Sequence, residues 1–382
     1  MKNPLFTIFA IAILIGVASL EVNAQFQVGG GPIVAPQPNP LFLSAFSNKL
    51  DARLKNKSVG YSFAVVDQAG HVVGGGGGDA RRAPDASPRK MTMDDKLNIA
   101  SVSKTITAAA VLKLLSQKRV SLDAPVHPYL PLNWKLGANV KTITFRELLT
   151  HRAGLRCPKE VTYLNLRECL AAGIDPALKS QQLYNNSNFA LFRMIIPRLN
   201  GFDGGNTADN AIGNSIASST YAGLYAEYVR NNILAPAGLS GIDLKPIASN
   251  PALCYQFPTP KAAGESFGDM TETGASRGWN MSARQLAIFF HALFQTQKIL
   301  PAAVSKKMKD DQLGIWRDAS LGTMTAWEHG GYYPGAQNAG ELNSYGVTFS
   351  NGVSVAVIVN SQFGPNQQIP AQVKAAMLEL AK

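Results

Sequence analysis

The feature that most constrains how this chain can fold is a dipeptide near its end, Asn351-Gly352. It separates two β-rich runs, 344–350 and 353–359. Asn-Gly between such runs is the strongest short-range hairpin signal, because both residues tolerate the positive φ of a tight turn. A second hairpin signal lies near the other end. There, runs 61–66 and 71–73 flank Asp67-Gln68-Ala69-Gly70. Strands are therefore expected near both termini.

From residue 101 to about 294 the apolar spacing is mostly helical. Helices are expected at 145–151, 161–172, 188–199, 219–233 and 282–294, with loops at 120–143, 201–214 and 248–273. A short helix is expected at 43–54. A last one, 370–380, opens on a proline, which first helical turns accept. The five glycines 74–78 lack the Gly-Lys-Ser/Thr ending of a phosphate loop and read as a loose strand end. The simplest architecture is an α+β fold. Both ends of the chain build an antiparallel sheet with packed helices (43–98 and 300–382), and a mostly helical lobe (99–299) is inserted between them. With 382 residues, 46% of them hydrophobic, the chain can bury a large core. A site at the junction would draw on both lobes.

The N-terminus combines Lys2, an apolar stretch 5–20, and small residues Val22 and Ala24. This is the pattern of a signal peptide, 1–24, cleaved before Gln25. The apolar stretch is shorter than the roughly 20 residues a membrane span needs. Residues 25–42, rich in Gly, Pro and Gln, read as a flexible linker. The expected location is periplasmic or secreted. In such an oxidising setting Cys157 and Cys169 are candidates for a disulfide, which leaves Cys254 over. The net charge of +11 is scattered, with no run of five Lys/Arg. It implies weak attraction to anionic surfaces, those of the cell envelope included, rather than nucleic-acid binding. No obligate partner is implied. No His-Glu-x-x-His spacing occurs, so no metal site and no cofactor are expected.

Ser101 and Lys104 carry the first chemical signal. They sit three apart, just ahead of an apolar helical run, 108–115. Positions i and i+3 share a helix face, so the hydroxyl would lie beside the ammonium and be activated as a nucleophile. The pattern alone is weak, since Ser87-Pro88-Arg89-Lys90 repeats it in a polar loop. A rival nucleophile is Ser266 in Gly264-Glu265-Ser266-Phe267-Gly268, but neither flank resembles the strand and helix of a nucleophile elbow.

Five segments in order give Ser101 its context: 99–105 around Ser101 and Lys104, 120–126, 146–155 (Arg-Glu-Leu-Leu-Thr-His-Arg-Ala-Gly-Leu), Tyr184-Asn185-Asn186-Ser187-Asn188-Phe189, and His329-Gly330-Gly331. On these segments the chain, from about residue 59 onward, resembles the serine β-lactamase and penicillin-binding-protein group, in its class C, D-Ala-D-Ala carboxypeptidase and esterase branch. The resemblance implies an acyl-enzyme on Ser101. Tyr184, its phenolate favoured by nearby cations, would be the base with Lys104 as proton partner. Asn186 would bond substrate or Lys104. His329, Gly330 and Gly331 would line the site on a strand edge, with His329 supporting Tyr184 or the leaving group and titrating near neutrality. The backbone amides of Ser101 and Tyr332 would form the oxyanion hole. His151 reads as a structural residue ending a helix.

One departure from the group's pattern bears on substrate. Gly330 stands where a threonine hydroxyl would meet a substrate carboxylate, which shifts the expectation from dedicated β-lactamase toward esterase, amidase or broader peptidase action. The substrate class is a small molecule or peptide with an amide or ester carbonyl. Two alternatives stand beside this reading: a non-catalytic envelope binding protein that keeps the fold, and an esterase built on Ser266.

Overall fold

The computed structural model describes residues 40–158, 160–204, 209–259, 262–334, 340–364 and 368–380. The expected signal peptide 1–24, and the linker as far as residue 39, lie outside the described residues. The last residues assigned to the linker belong to a helix, α1 (Pro40–Leu54), whose Phe42 is buried.

The N-terminal part of the sheet lobe holds α1, β1 (Gly60–Val66), β2 (Val72–Arg81), β3 (Arg89–Lys90) and the short β4 (Leu97–Asn98). The helical part follows with α2 (Ser103–Lys118), α3 (Phe145–Leu149), α4 (Tyr163–Ala172), α5 (Asn186–Ala190), α6 (Phe192–Leu199) and α7 (Ala211–Val229). Then come β5 (Asn280–Met281), α8 (Ala283–Phe294), α9 (Ala302–Asp310), β6 (Trp316–Leu321), β7 (Met324–Tyr333), β8 (Leu342–Phe349), β9 (Ser354–Val359) and α10 (Ile369–Glu379).

Seven strands form one sheet in the order β3-β2-β1-β9-β8-β7-β6, every pairing antiparallel. The two ends of the chain meet at its centre, where Val65 faces Val355 and Phe63 faces Val357. Both strands there are buried along their whole length. The Asn351-Gly352 turn closes β8 onto β9, with Gly352 at φ 89°. One face of the sheet is covered by α1 and α10, through Phe46, Leu50, Val373 and Met377 packed on Phe63, Val347 and Val355. The other carries α8, which lies in the stretch assigned by sequence to the helical lobe but packs on β1, β8 and β9. A Ser282/Gln285 capping box fixes the start of α8.

Two expectations need correction, and one strand was unexpected. The glycines 74–78 are not a loose end: they pair residue by residue with β1 inside β2. A Cβ at Gly74 would lie 2.3 Å from the Phe63 carbonyl, so this strand runs too close to its neighbour for side chains. β6 has no sequence signal because it is an exposed, charged edge strand, as edges that avoid pairing with other chains are. The expected loop 201–214 ends early, since α7 begins at Ala211 with Asn210 as its cap.

Candidate active site

Ser101 sits on a single 3₁₀ turn, Ala100–Val102, that leads into α2. The turn is held on three sides. Ile99 N–H donates to the Trp279 carbonyl (2.8 Å), Ala100 N–H to Asn98 Oδ1 (2.7 Å), and the Ser344 hydroxyl to the Ile99 carbonyl (2.7 Å). This clamp keeps Ala100 at φ 43°, a left-handed conformation that costs about 1 kcal/mol for a residue with a Cβ. Gly331 on β7 lets the strand press against the turn. A Cβ there would meet Ser344 Oγ at 2.3 Å and the Ile99 carbonyl at 2.5 Å.

α2 is the central helix of the helical lobe and is buried nearly all round, which explains its uniform apolar run. Lys104, one turn in, is fully buried. Its Nζ lies 3.0 Å from Ser101 Oγ, 2.8 Å from Asn186 Oδ1 and 2.8 Å from the Ser276 carbonyl. Burial, and secondly the charge of Arg277, hold its pKa well below the ordinary lysine value. The repeat pattern Ser87/Lys90 forms no such pair, since Lys90 bonds Asp79 on the sheet edge.

Tyr184 hydroxyl lies 2.8 Å from Ser101 Oγ. Its segment is fixed by a backbone bond from Leu183 N–H to the His151 carbonyl (2.8 Å) and by Asn185, which caps α5 by accepting from Ser187 N–H (2.8 Å). Because Asn185 does the capping, Asn186 is free to hold Lys104. Asn185 also donates to the Cys157 carbonyl (3.3 Å). Cys157 is joined to Cys169 in a disulfide, with Cα atoms 5.3 Å apart.

The expected phenolate on Tyr184 is not favoured. Half of the residue is exposed, but its hydroxyl end lies in crowded protein, and burial raises its pKa above 10. The bond from Ser101 only partly offsets this. Lys104 Nζ sits over the ring, 5.0 Å from its centroid, and is not paired with the oxygen.

His329 also departs from expectation. It is buried, and its Nδ1–H donates to the Gly330 carbonyl (2.7 Å) rather than to Tyr184. Burial, then the neighbouring Lys104, pushes its pKa down to about 3, so it does not titrate near neutrality. His151 ends α3 in a left-handed conformation (φ 56°), as a structural residue would. Its role is more specific than a helix end. The ring lies 4.4 Å, centroid to centroid, from Tyr184, and Nδ1 accepts from the Asn185 N–H and from Asn188 Nδ2. Burial, then the charges of Lys104 and His329, lowers its pKa to about 3.

β6 pairs with β7 only as far as Glu328. Among the described residues, no strand pairs with that edge of β7 from His329 to Tyr333. Gly330 is exposed there, and a Cβ on it would meet nothing within 4 Å. The Tyr332 side chain points to solvent, while its backbone runs along the free edge. Ser266 lies in an irregular stretch with neither strand before nor helix after, so no nucleophile elbow forms. Cys254 is buried and its thiol pKa raised by that burial. Among the described residues no group of three or more His, Cys, Asp or Glu could hold a metal ion. No described helix is long and apolar enough to cross a membrane. The residues that sequence reading missed, Ser276, Arg277, Trp316 and Ser344, come from distant elements and carry no local motif.

Fold and site together define a class: a two-lobed α+β protein of the hydrolases that share the β-lactamase/transpeptidase architecture. The family model described as Beta-lactamase matches residues 46–377, and the chain belongs to that family. Among solved structures it is similar to the D-amino acid amidase from Ochrobactrum anthropi SV3 complexed with L-phenylalanine amide (TM-score 0.67, 20% identity, 89% of this chain and 98% of that one). It is also similar to a β-lactamase/D-alanine carboxypeptidase from Yersinia pestis (TM-score 0.64, 18% identity, 90% and 100%). At these identities the likeness is one of fold. By sequence it is 26% identical over 160 residues to a teichoic acid D-alanine hydrolase of Staphylococcus aureus (strain MRSA252). That match covers 40% of this chain and 38% of the relative.

Proposed function

We propose that this chain is an exported serine hydrolase that cleaves an amide or ester bond through an acyl-enzyme on Ser101. The observation that carries the reading is the placement of Lys104 Nζ and Tyr184 hydroxyl within 3.0 Å and 2.8 Å of Ser101 Oγ. The depressed pKa of Lys104, together with its three contacts, supports one division of the proton-transfer roles. A neutral amine has two N–H groups and one lone pair. The N–H groups are used by the Asn186 and Ser276 carbonyl oxygens, which leaves the lone pair for the Ser101 O–H. Lys104 is then the base that takes the proton as Ser101 attacks the carbonyl carbon. Tyr184, held as a neutral phenol, donates its proton to the leaving nitrogen or oxygen; in deacylation the resulting phenolate takes a proton from the incoming water, and the Lys104 ammonium returns its proton to Ser101 Oγ. The backbone amides of Ser101 and Tyr332 serve the developing oxyanion. Water, activated by the same groups in reverse, releases the acyl half.

Export rests on the pattern of residues 1–24. The substrate is a small molecule or peptide, a class in keeping with the amide and D-alanyl substrates named for its relatives. The test is labelling of the mature protein with a fluorescent fluorophosphonate or penicillin, followed by mapping of the adduct. Label on Ser101, lost in Ser101→Ala, is expected. Label that persists in that variant sinks the assignment, and no turnover of esters, cephalosporins or D-alanyl peptides revives the non-catalytic alternative.

A further inference from the structure

The two ends of the free β7 edge differ in chemistry. Toward His329 stand Trp316, His151 and Tyr184, in ring contact along a chain: Trp316 lies 6.4 Å from both histidine rings, and His151 4.4 Å from Tyr184. Four residues further along, about 13 Å at the rise of a strand, Tyr333 stands against Phe267 (4.3 Å between centroids). The Arg277 guanidinium lies over the Tyr333 ring at 5.3 Å. Side chains alternate along a strand, so Tyr333 shares the face of Gly331, the face that abuts the Ser101 turn.

Arg277 is tied to the catalytic centre and yet unpaired. It follows Ser276, whose carbonyl holds Lys104. Among the described residues Arg277 forms no ion pair, and its Nε is buried with no hydrogen-bond partner. That atom is enclosed, but the terminal nitrogens also donate no hydrogen bond within the described residues and are the donors an anion can reach. The direction of the substrate follows from Tyr184. It donates to the leaving group, so the leaving group lies at the His329 end. The acyl half then runs past the Tyr332 amide toward Tyr333 and Arg277.

We propose that Arg277, walled by Tyr333 and Phe267, is a specificity-determining residue that reads a carboxylate on the acyl half of the substrate. This rests on the acyl-enzyme reading above and deepens it. The same charge repels an acyl group that carries a free ammonium, so this site shares the amide or ester bond of its relatives' substrates but, unlike them, takes unsubstituted aminoacyl donors poorly. The bare Gly330 offers no side-chain group at the opposite end, so selection falls on the acyl half.

The test compares three p-nitrophenyl esters that share a leaving group: the hemisuccinate (anionic), the butyrate (neutral) and the β-alanyl ester (cationic). The expected order of kcat/KM is anionic, neutral, cationic. The anionic-to-neutral ratio is expected to fall about ten-fold or more in Arg277→Gln, the scale of one charge-assisted hydrogen bond. The change should fall mainly on KM. Arg277→Lys should keep most of the ratio, and added salt should lower it in the wild type. Circular dichroism and the unfolding midpoint verify that each variant is folded. A ratio equal in wild type and Arg277→Gln overturns the proposal. If Arg277 acts only by lowering the pKa of Lys104, its replacement shifts the pH profile of all three esters alike and leaves the ratio intact, which also overturns it. Hydrolysis that survives Ser101→Ala, or no hydrolysis of any ester, defeats the acyl-enzyme reading itself and this proposal with it.

Discussion

The chemistry of this site turns on one buried amine. Lys104 has no carboxylate within reach among its bonded partners, only Ser101, Asn186 and Ser276. Burial penalises its charge, and among the described residues no bonded carboxylate restores it. The activity should therefore rise with pH as Lys104 loses its proton, with a midpoint below the ordinary lysine value of 10.5. It should hold until Tyr184 ionises, above its ordinary 10. The acid limb cannot come from His151 or His329, both held near 3. Lys104→Arg fixes a permanent charge there and cannot take a proton, and kcat/KM should drop about a hundred-fold or more with no recovery at high pH. A profile of kcat/KM from acid to alkaline pH checks both statements; substantial activity in Lys104→Arg would remove Lys104 as the base.

At the level of elements, the site depends on how closely β7 meets the turn that carries Ser101. The contact is set by two adjacent glycines with opposite surroundings. At Gly331 an added Cβ collides with Ser344 Oγ and the Ile99 carbonyl; at Gly330 it meets open space. Gly331→Ala should push the strand off the turn. The expected cost is about 1–3 kcal/mol of stability, as for overpacking elsewhere, with a large loss of kcat. Gly330→Ala should shift stability by no more than about 0.5 kcal/mol. Chemical denaturation of the two variants separates them, and equal midpoints would show that the close approach is not needed. β7 also shows why its sequence was hard to read. Its two glycines and buried histidine obscure a strand whose β6 neighbour is an exposed charged edge.

For the whole molecule, the two buried neutral histidines make the fold acid-sensitive. Each has a folded pKa near 3 against an ordinary 6.5. Between those values the unfolded chain binds protons that the folded one does not. Stability is thus fully present above pH 6.5 and is lost as pH falls toward 3, by up to about 1.4 kcal/mol per pH unit for each histidine. Unfolding free energies measured between pH 8 and 4 should show this slope, and His329→Gln should reduce it. A flat profile in that range would mean that one or both histidines are charged in the fold.

The hairpin residues Asn351-Gly352 and Asp67–Gly70, the helical spacing between them, and the order Ser101, Lys104, Tyr184, Asn186, His329 were legible in the chain itself. They are local: turn chemistry and periodicity act over a few residues. They determined a sheet made from both ends, and the ordered segments carried the resemblance that named the site residues. What the sequence could not hold is distance. The Ser276 carbonyl that uses up one Lys104 hydrogen, the burial that keeps Tyr184 and His329 uncharged, and the stacking of His151 on Tyr184 arise only when elements far apart in the chain are packed together. Protonation follows from surroundings, so the proposed division between the residue that takes the proton and the one that gives it rests on the tertiary structure alone. That structure also brought Arg277 over Tyr333, on the strand whose Gly331 abuts the Ser101 turn.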